Sequence, residues 1–430
     1  MGIKITNEQV VRYLSKSDYK YRELPTSTID KIVDDFDKDK IDFSKIQYFK
    51  FNGRRLAKFE SAYNEIAFVN MVSDKINRLF DVKYPNRNAI MRKVFSTMML
   101  LKDLKDFTLI RFDFKKYFSS VSTEYIFKQY IENSTLKREI KDKISEYAKT
   151  IPYCVPGISI SNTFSELIAM EFDTEINRCF SKYGIVFYER YIDDGIIVIK
   201  NYLSRKEVLN IIRNSILKVY QKEKTRLNKT KLNLNPLKFQ VINRRNISSS
   251  NEFNFLGYQF EFNSELEFKY GITKKKIKKF TKKIDKLVSL YHTDLTYMRH
   301  ILKANSSRVV YYSSAIEKRR LWIQKGLIAN YNELKYHLHE LIPSTEGFLK
   351  NVYKDAFNKL GLIEPHYINS ERYNLYCNLK KNKALIFDEK IGISKDQLTK
   401  ELVEIGIVPA TDSTYYSLTR NYLIKVKMGH

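Results

Sequence analysis

A chain of 430 residues, 43% of them hydrophobic, can bury one large core and a smaller one, and its 29% of charged residues form no low-complexity tract, which excludes a disordered polymer. Lysine and arginine number 76 against 49 acids, a net charge of +27 that draws polyanions and points to nucleic acid. Cys154, Cys179 and Cys377 have no CxxC spacing, which argues against a disulfide framework or a zinc site; no apolar run reaches the ~18 residues that span a bilayer, so a cytoplasmic chain without membrane contact is expected.

In chain order, helices are expected at Asn7–Ser15 and Ser27–Lys38. Asp35-Phe-Asp37-Lys-Asp39 opens like a calcium loop, but Lys40 stands where the loop needs glycine and Ile46 where it needs an acid, so it reads as a solvated charge run. Residues 54–105 carry apolar positions at helical spacing, among them Ile66, Val69, Val72, Ile76 and Leu79, and Tyr84-Pro85-Asn86 divides them from a second helix over Met91–Leu101. The period then changes. Phe107–Phe114 reads as a strand, Thr123–Lys149 as helix, and Ile151–Ser161 as a loop leading into a helix that ends near Cys179. Ile185–Tyr191 and Gly195–Ile199 read as a hairpin around an acidic turn, for which Asp-Gly is suited. A helix over Leu203–Thr225 and strands over Leu232–Asn243 and Phe253–Phe262 follow.

Eight lysines then crowd the thirteen residues 274–286 (Lys274, Lys275, Lys276, Lys278, Lys279, Lys282, Lys283, Lys286). Ile277, Phe280, Ile284, Leu287 and Tyr291 recur at three- and four-residue spacing, which predicts an amphipathic helix whose charged face is either solvated or tracks phosphates. Residues 290–430 read as predominantly helical. The order implies an α+β fold, helices packed on an antiparallel sheet.

Three acids stand out. Asp113 ends an apolar strand, and Asp193 and Asp194 occupy the hairpin turn. An Asp pair before glycine is by itself an ordinary turn sequence. Carboxylates beside strands this apolar are costly unless solvated, paired or metal-bound. If the strand of Asp113 lies beside the hairpin, the three converge, and divalent cations would remove their repulsion. Magnesium takes a few hard carboxylates and keeps its remaining positions for water and phosphate, the requirement of two-metal phosphoryl transfer.

The residues around these acids carry a resemblance. Arg111–Val121 is similar to motif A of reverse transcriptases, and Tyr191-Ile192-Asp193-Asp194 resembles their motif C box. Pro156-Gly157-Ile-Ser-Ile-Ser161 resembles motif B, Leu234-Asn235-Pro-Leu-Lys238 motif D, and Phe255-Leu256-Gly257-Tyr258 motif E, all five in the family's order across about residues 107–262. The resemblance implies a right-hand polymerase with an N-terminal and fingers region over 1–106, a palm over 107–270, and a helical thumb and C-terminal extension over 271–430. It implies metal binding, with Mg2+ (two ions, Mn2+ as substitute), by Asp113, Asp193, Asp194 and the carbonyl of Phe114. It places Phe118, with Tyr117 as a rival, as the gate against a 2′-hydroxyl, Gly157 and Lys238 at the nucleotide, and Phe255, Leu256 and Gly257 as the primer grip. Lys274, Lys275, Lys278, Lys279 and Lys282 would meet nucleic acid.

The motif B glutamine is replaced by Pro156, and no fingers residue clearly matches the triphosphate ligands; Arg54, Arg55, Lys58 and Arg87 are candidates. The Asn-Ala-x-x-His and Val-Thr-Gly boxes of retron enzymes, and maturase, RNase H and HNH boxes, are not apparent. Within the family the pattern looks most like the bacterial defence-associated and abortive-infection enzymes. That implies an RNA-directed DNA polymerase copying a dedicated structured noncoding RNA with dNTPs into a DNA product, in antiphage defence. The alternatives are a template-independent DNA polymerase of the abortive-infection type and a catalytically inactive RNA-binding scaffold. The sequence does not specify the oligomeric state or the priming group.

Overall fold

The computed structural model describes residues 2–425 apart from 18–20, 22–23, 52, 221–231, 249–250, 307–326, 370–373, 385–394, 415–416, 419–420 and 423–424. It divides into two compact units, residues 1–90 with 104–246 and residues 91–103 with 247–430. The α+β class expected from the sequence holds, and among the described residues the strands pair with one another antiparallel. No helix among the described residues is long and apolar enough to cross a membrane.

The first unit opens with α1 (Asn7–Ser15) and α2 (Thr26–Asp37), as expected. A capping box starts α1: the Gln9 amide donates to the Thr6 hydroxyl at 3.3 Å while the Thr6 amide donates to the Gln9 side chain at 3.1 Å. Asp35 of the acidic run accepts from Lys40 at 3.1 Å and from Asn64 at 3.2 Å. Residues 54–59, read as the start of a helical stretch, are instead a strand. β1 (Ile46–Phe51) and β2 (Arg54–Phe59) form a ribbon in register from Ile46↔Phe59 to Phe51↔Arg54. The two segments flank a glycine turn, where Gly53 takes φ +76°, and each residue of one pairs with a residue of the other. Beyond the ribbon comes α3 (Tyr63–Leu79), buried over most of its surface; α4 (Arg87–Leu100) follows, its residues from Met91 on belonging to the second unit.

β3 (Thr108–Lys115) is covered on both faces. The helix expected over Thr123–Lys149 is broken: α5 (Thr123–Ile126) widens into a π turn over Phe127–Ile131, and α6 (Arg138–Thr150) starts afresh. The long α7 (Ser159–Phe180) leads to the expected hairpin, β4 (Ile185–Tyr191) and β5 (Asp194–Ile199). Next come α8 (Arg205–Tyr220), β6 (Asn233–Leu234) and β7 (Gln240–Asn243); the expected continuation of α8 over 221–225 lies outside the described residues. The sheet runs β4-β5-β3-β6, with β7 also on β3. α7 covers it: the Phe172 ring lies 6.2 Å from Phe112 and 5.4 Å from Phe114, edge-on to both.

In the second unit the strand expected over Phe253–Phe262 is a hairpin. β8 (Asn251–Phe255) and β9 (Tyr258–Phe262) are joined by Leu256 and Gly257, at φ +48° and +85°. β10 (Phe268–Ile272), not anticipated, completes a sheet of order β10-β9-β8. Phe95 of α4 packs on its face against Tyr258, Phe260 and Tyr270. The predicted lysine-rich helix is α9 (Lys274–Tyr291): Ile284, Leu287 and Val288 are buried, while Lys274, Lys275, Lys276, Lys278, Lys279, Lys282 and Lys286 are exposed. Lys283 is half-buried, and burial followed by the neighbouring Lys279 charge lowers its pKa. Further helices are α10 (Leu295–Ser306), α11 (Pro343–Lys359), α12 (Leu375–Ala384) and α13 (Lys395–Glu404), in line with the expected helical C-terminal part.

Candidate active site

The central sheet brings the three acids together. β3 pairs with β5 so that Asp113 stands directly across from Asp194, and Asp194 pairs in turn with Tyr191 on β4. Oxygen atoms of Asp113, Asp193 and Asp194 all lie within 4.8 Å of one another. Asp113 is buried and the other two are half-buried. Burial, and next the Asp113 charge, lift the Asp194 carboxyl to about 7.

Two cations already answer this crowding. Lys238 Nζ lies 2.5 Å from Asp113 Oδ2, and Arg111 Nη2 lies 3.4 Å from Asp194 Oδ1. The Asn235 amide nitrogen donates to the other Asp113 oxygen at 3.0 Å, and the Asn235 backbone N–H donates to the Asp113 carbonyl at 2.7 Å. Lys238, for which the motif implied a place at the nucleotide, thus lies against Asp113, while Arg111 and Asn235 are partners that the sequence reading assigned no role. Three convergent hard oxygen donors, with negative charge in excess of what the half-exposed Lys238 supplies, fit a divalent cation of the magnesium or manganese kind.

The turn itself is held from below. Arg190 Nη2 donates to Glu166 at 2.6 Å and to Asp173 at 2.8 Å, both on α7, and Arg190 Nε reaches Asp173 at 2.8 Å. Its Nη1 donates to the Ile192 carbonyl at 2.9 Å, and the Phe114 N–H donates to the Asp193 carbonyl at 3.0 Å. These bonds fix Ile192 at φ +58°, a region that β-branched residues disfavour. Glycine at 195 has a different use from the one expected. It lies in β5 rather than in the turn, and a Cβ there would meet the Phe112 ring at 2.1 Å. The Asp-Gly pair therefore owes its glycine to cross-strand packing.

Residues 62–260 match the family model described as reverse transcriptase (RNA-dependent DNA polymerase). That segment carries a reverse transcriptase domain. The matched segment contains all three acids. No curated protein matches the chain. Among solved structures, an apo telomerase from Candida tropicalis truncated from its C-terminal domain is 19% identical with a TM-score of 0.34, over 52% of this chain and 54% of that one. Telomerase from the same yeast in complex with a TWJ fragment of telomeric RNA is 15% identical with a TM-score of 0.36, over 88% and 63%. The corresponding Candida albicans complex is 14% identical with a TM-score of 0.34, over 78% and 54%. The chain spans between about half and under two thirds of those proteins' length.

The remaining sequence candidates are placed as follows. Phe114 is buried in β3, where it pairs with Leu234. Tyr117 is a core residue: 3% exposed, it donates its hydroxyl to the Ser165 carbonyl at 2.8 Å, and burial raises its pKa well above the tyrosine range. It has no surface to offer a sugar, so of the two rivals for the gate only the half-buried Phe118 can present a ring. Gly157 has φ +104°, and a Cβ there would meet the Ala57 carbonyl oxygen at 2.3 Å. Its missing side chain lets the loop before α7 lie against β2, where the Ala57 N–H donates to the Pro156 carbonyl at 2.9 Å. Phe255, Leu256 and Gly257 form the β8–β9 turn in the second unit, and the five α9 lysines lie exposed there.

Proposed function

We propose that this chain is an RNA-directed DNA polymerase that extends a primer with deoxynucleotides at Asp113, Asp193 and Asp194, with Mg2+ as its cofactor. The observation that carries the reading is the convergence of these carboxylates, within 4.8 Å on adjacent strands, inside the matched domain. Divalent ions held by these oxygens would activate the primer 3′-hydroxyl and offset charge on the leaving pyrophosphate. The protein's own share is positioning and charge balance. Asn235 holds one Asp113 oxygen so that the other faces the site, Arg190 fixes the turn, and Lys238 offers a proton or a positive charge to the phosphates. Phe118 would select deoxyribose, the Leu256-Gly257 turn would press on the primer, and the α9 lysines would follow the duplex backbone. The carbonyl of Phe114 is a further proposed metal ligand.

The finer reading is a bacterial antiphage-defence enzyme that copies a dedicated structured noncoding RNA. It is supported by the motif order and by the helical C-terminal extension, both of which resemble that group. Primer extension on an RNA template tests the core of the proposal. Magnesium-dependent dNTP incorporation is expected to fall roughly a hundred- to a thousandfold in Asp113→Ala and in Asp193→Ala, a magnitude set by the loss of transition-state charge stabilisation. Synthesis retained in either variant would sink the assignment.

A further inference from the structure

Behind the three acids, the sheet buries a cation. Side chains alternate along a strand, so Arg111, two residues before Asp113, projects from the same face of β3. Asp194 stands across from Asp113, and Ile196 of β5 stands across from Arg111. Arg111 is 7% exposed. Its Nη2 lies 3.4 Å from Asp194 Oδ1, while its Nε is buried and has no hydrogen-bond partner among the described residues.

Stability does not account for this arginine. Arg190, on the opposite face, shows a guanidinium held for structure: it donates to Glu166 at 2.6 Å, to Asp173 at 2.8 Å and to the Ile192 carbonyl at 2.9 Å. Arg111 has one long contact, and a buried donor left unpaired costs free energy. Its neighbours on that face, Leu109 and Ile196, are apolar and fully buried. An apolar side chain would suit the position, since replacing a buried ionic group by a packed apolar one is often neutral or stabilising. What only a cation supplies there is charge. With all three acids ionised the cluster carries −3, and Lys238 and Arg111 together bring it to −1. Lys238 is half-exposed and screened by solvent, whereas Arg111 is enclosed, where charges act more strongly on one another. Divalent sites tune their affinity by the charge of their ligands, so a fixed cation against one of them lowers it.

We infer that Arg111 is a positioning residue, a built-in counter-charge that keeps Asp194 beside Asp113 and limits how tightly the site grips a divalent ion. The inference rests on the reading of the three acids as the metal site. Arg111 acts through Asp194 and is not itself a ligand. The sign of its effect sets it apart from Asn235, whose bond orients Asp113: losing an orienting partner weakens metal binding, whereas losing a counter-charge strengthens it.

The test is Mn2+ titration of the full chain, followed by paramagnetic resonance without nucleotide or nucleic acid, together with thermal melting in EDTA and in saturating Mn2+. Arg111→Met, similar in shape and uncharged, should bind Mn2+ more tightly than wild type by roughly ten- to a hundredfold, the scale on which groups around metal ligands act. Arg111→Lys keeps the charge and should stay near the wild-type affinity. Adding Mn2+ should raise the melting temperature of Arg111→Met further than that of wild type, because the ion binds the folded variant more tightly. Weaker or unchanged Mn2+ binding in Arg111→Met overturns the inference, as does equal tightening in Arg111→Lys. So does an Arg111→Met chain that stays unfolded in saturating Mn2+, which would make the guanidinium a part of the core. Wild type that binds no Mn2+ would overturn the metal reading and this inference with it, a failure distinct from the others.

Discussion

At the scale of single residues, Asn235 is the most informative position. It donates to Asp113 from both backbone and side chain, and the side-chain bond leaves Asp113 Oδ2 to the remaining groups. Partners that orient a ligand typically contribute ten- to a hundredfold. Asn235→Ala is therefore expected to lower the single-turnover rate by about that factor and to weaken Mn2+ binding followed by paramagnetic resonance, with KM for dNTP nearly unchanged. A uniform loss of folded protein instead would reduce Asn235 to a structural cap. Phe118 gives a second residue-scale test. Its ring meets Tyr117 edge-on at 5.7 Å and is only half-buried. Phe118→Ala should raise ribonucleotide use relative to deoxyribonucleotide use by at least tenfold, and an unchanged ratio would remove the gate. Asn235 and Arg190 show what a sequence leaves hidden. Their bonds to Asp113 and Glu166 span 122 and 24 positions, and no spacing rule reports such a contact. Asp113, Asp193 and Asp194 were legible because each stands at the end of an apolar run, where an acid needs a reason.

At the scale of elements, α7 connects sheet and periphery. Its buried Glu175 accepts from Arg178 at 2.6 Å and from Lys218 of α8 at 2.7 Å. Those hydrogen bonds, led by Arg178, hold the Glu175 carboxyl at about 2. The folded value lies below the unfolded one of ~4.3. The stabilisation is thus complete above pH ~4.3 and fades as pH falls toward 2. Glu175→Gln should cost on the order of 1 kcal/mol at neutral pH, discounted for the exposed cations. Denaturant titrations should show the gap to wild type closing between pH ~4.5 and 2; a gap that stays constant would detach it from this carboxyl. Strands and long amphipathic helices were readable from their periods, as with β3, β5 and α9. The β1–β2 ribbon was not, because residues 54–59 run on into the helical period of α3 and Ile46–Phe51 shows no strict alternation. The β8–β9 turn was not either, because Leu256 adopts positive φ, which residue type gives little reason to expect.

For the whole molecule, the charge of +27 sets the terms of any encounter with nucleic acid. The exposed α9 lysines are part of that field, and the proposed role sets them against the phosphate backbone. Replacing Lys274, Lys278 and Lys282 with Gln should flatten the plot of log affinity against log salt by about 0.9 for each duplex phosphate that is no longer neutralised. An unaltered slope would leave α9 as a solvated face. The last boundary of the compact units along the chain falls between Asn246 and Ile247. A sequence reading had no cue there, since segments that read as strands lie on either side of it.

The crowding of Phe112 against Gly195 has an evolutionary meaning. The two positions flank Asp113 and Asp194 in neighbouring strands, and the ring fills the space that any side chain at 195 would need. Neither can drift in size alone, so substitutions there should be epistatic: alanine at 195 becomes tolerable only after position 112 has shrunk. The catalytic acids thus inherit mutational rigidity from two neighbours that need take no part in the chemistry.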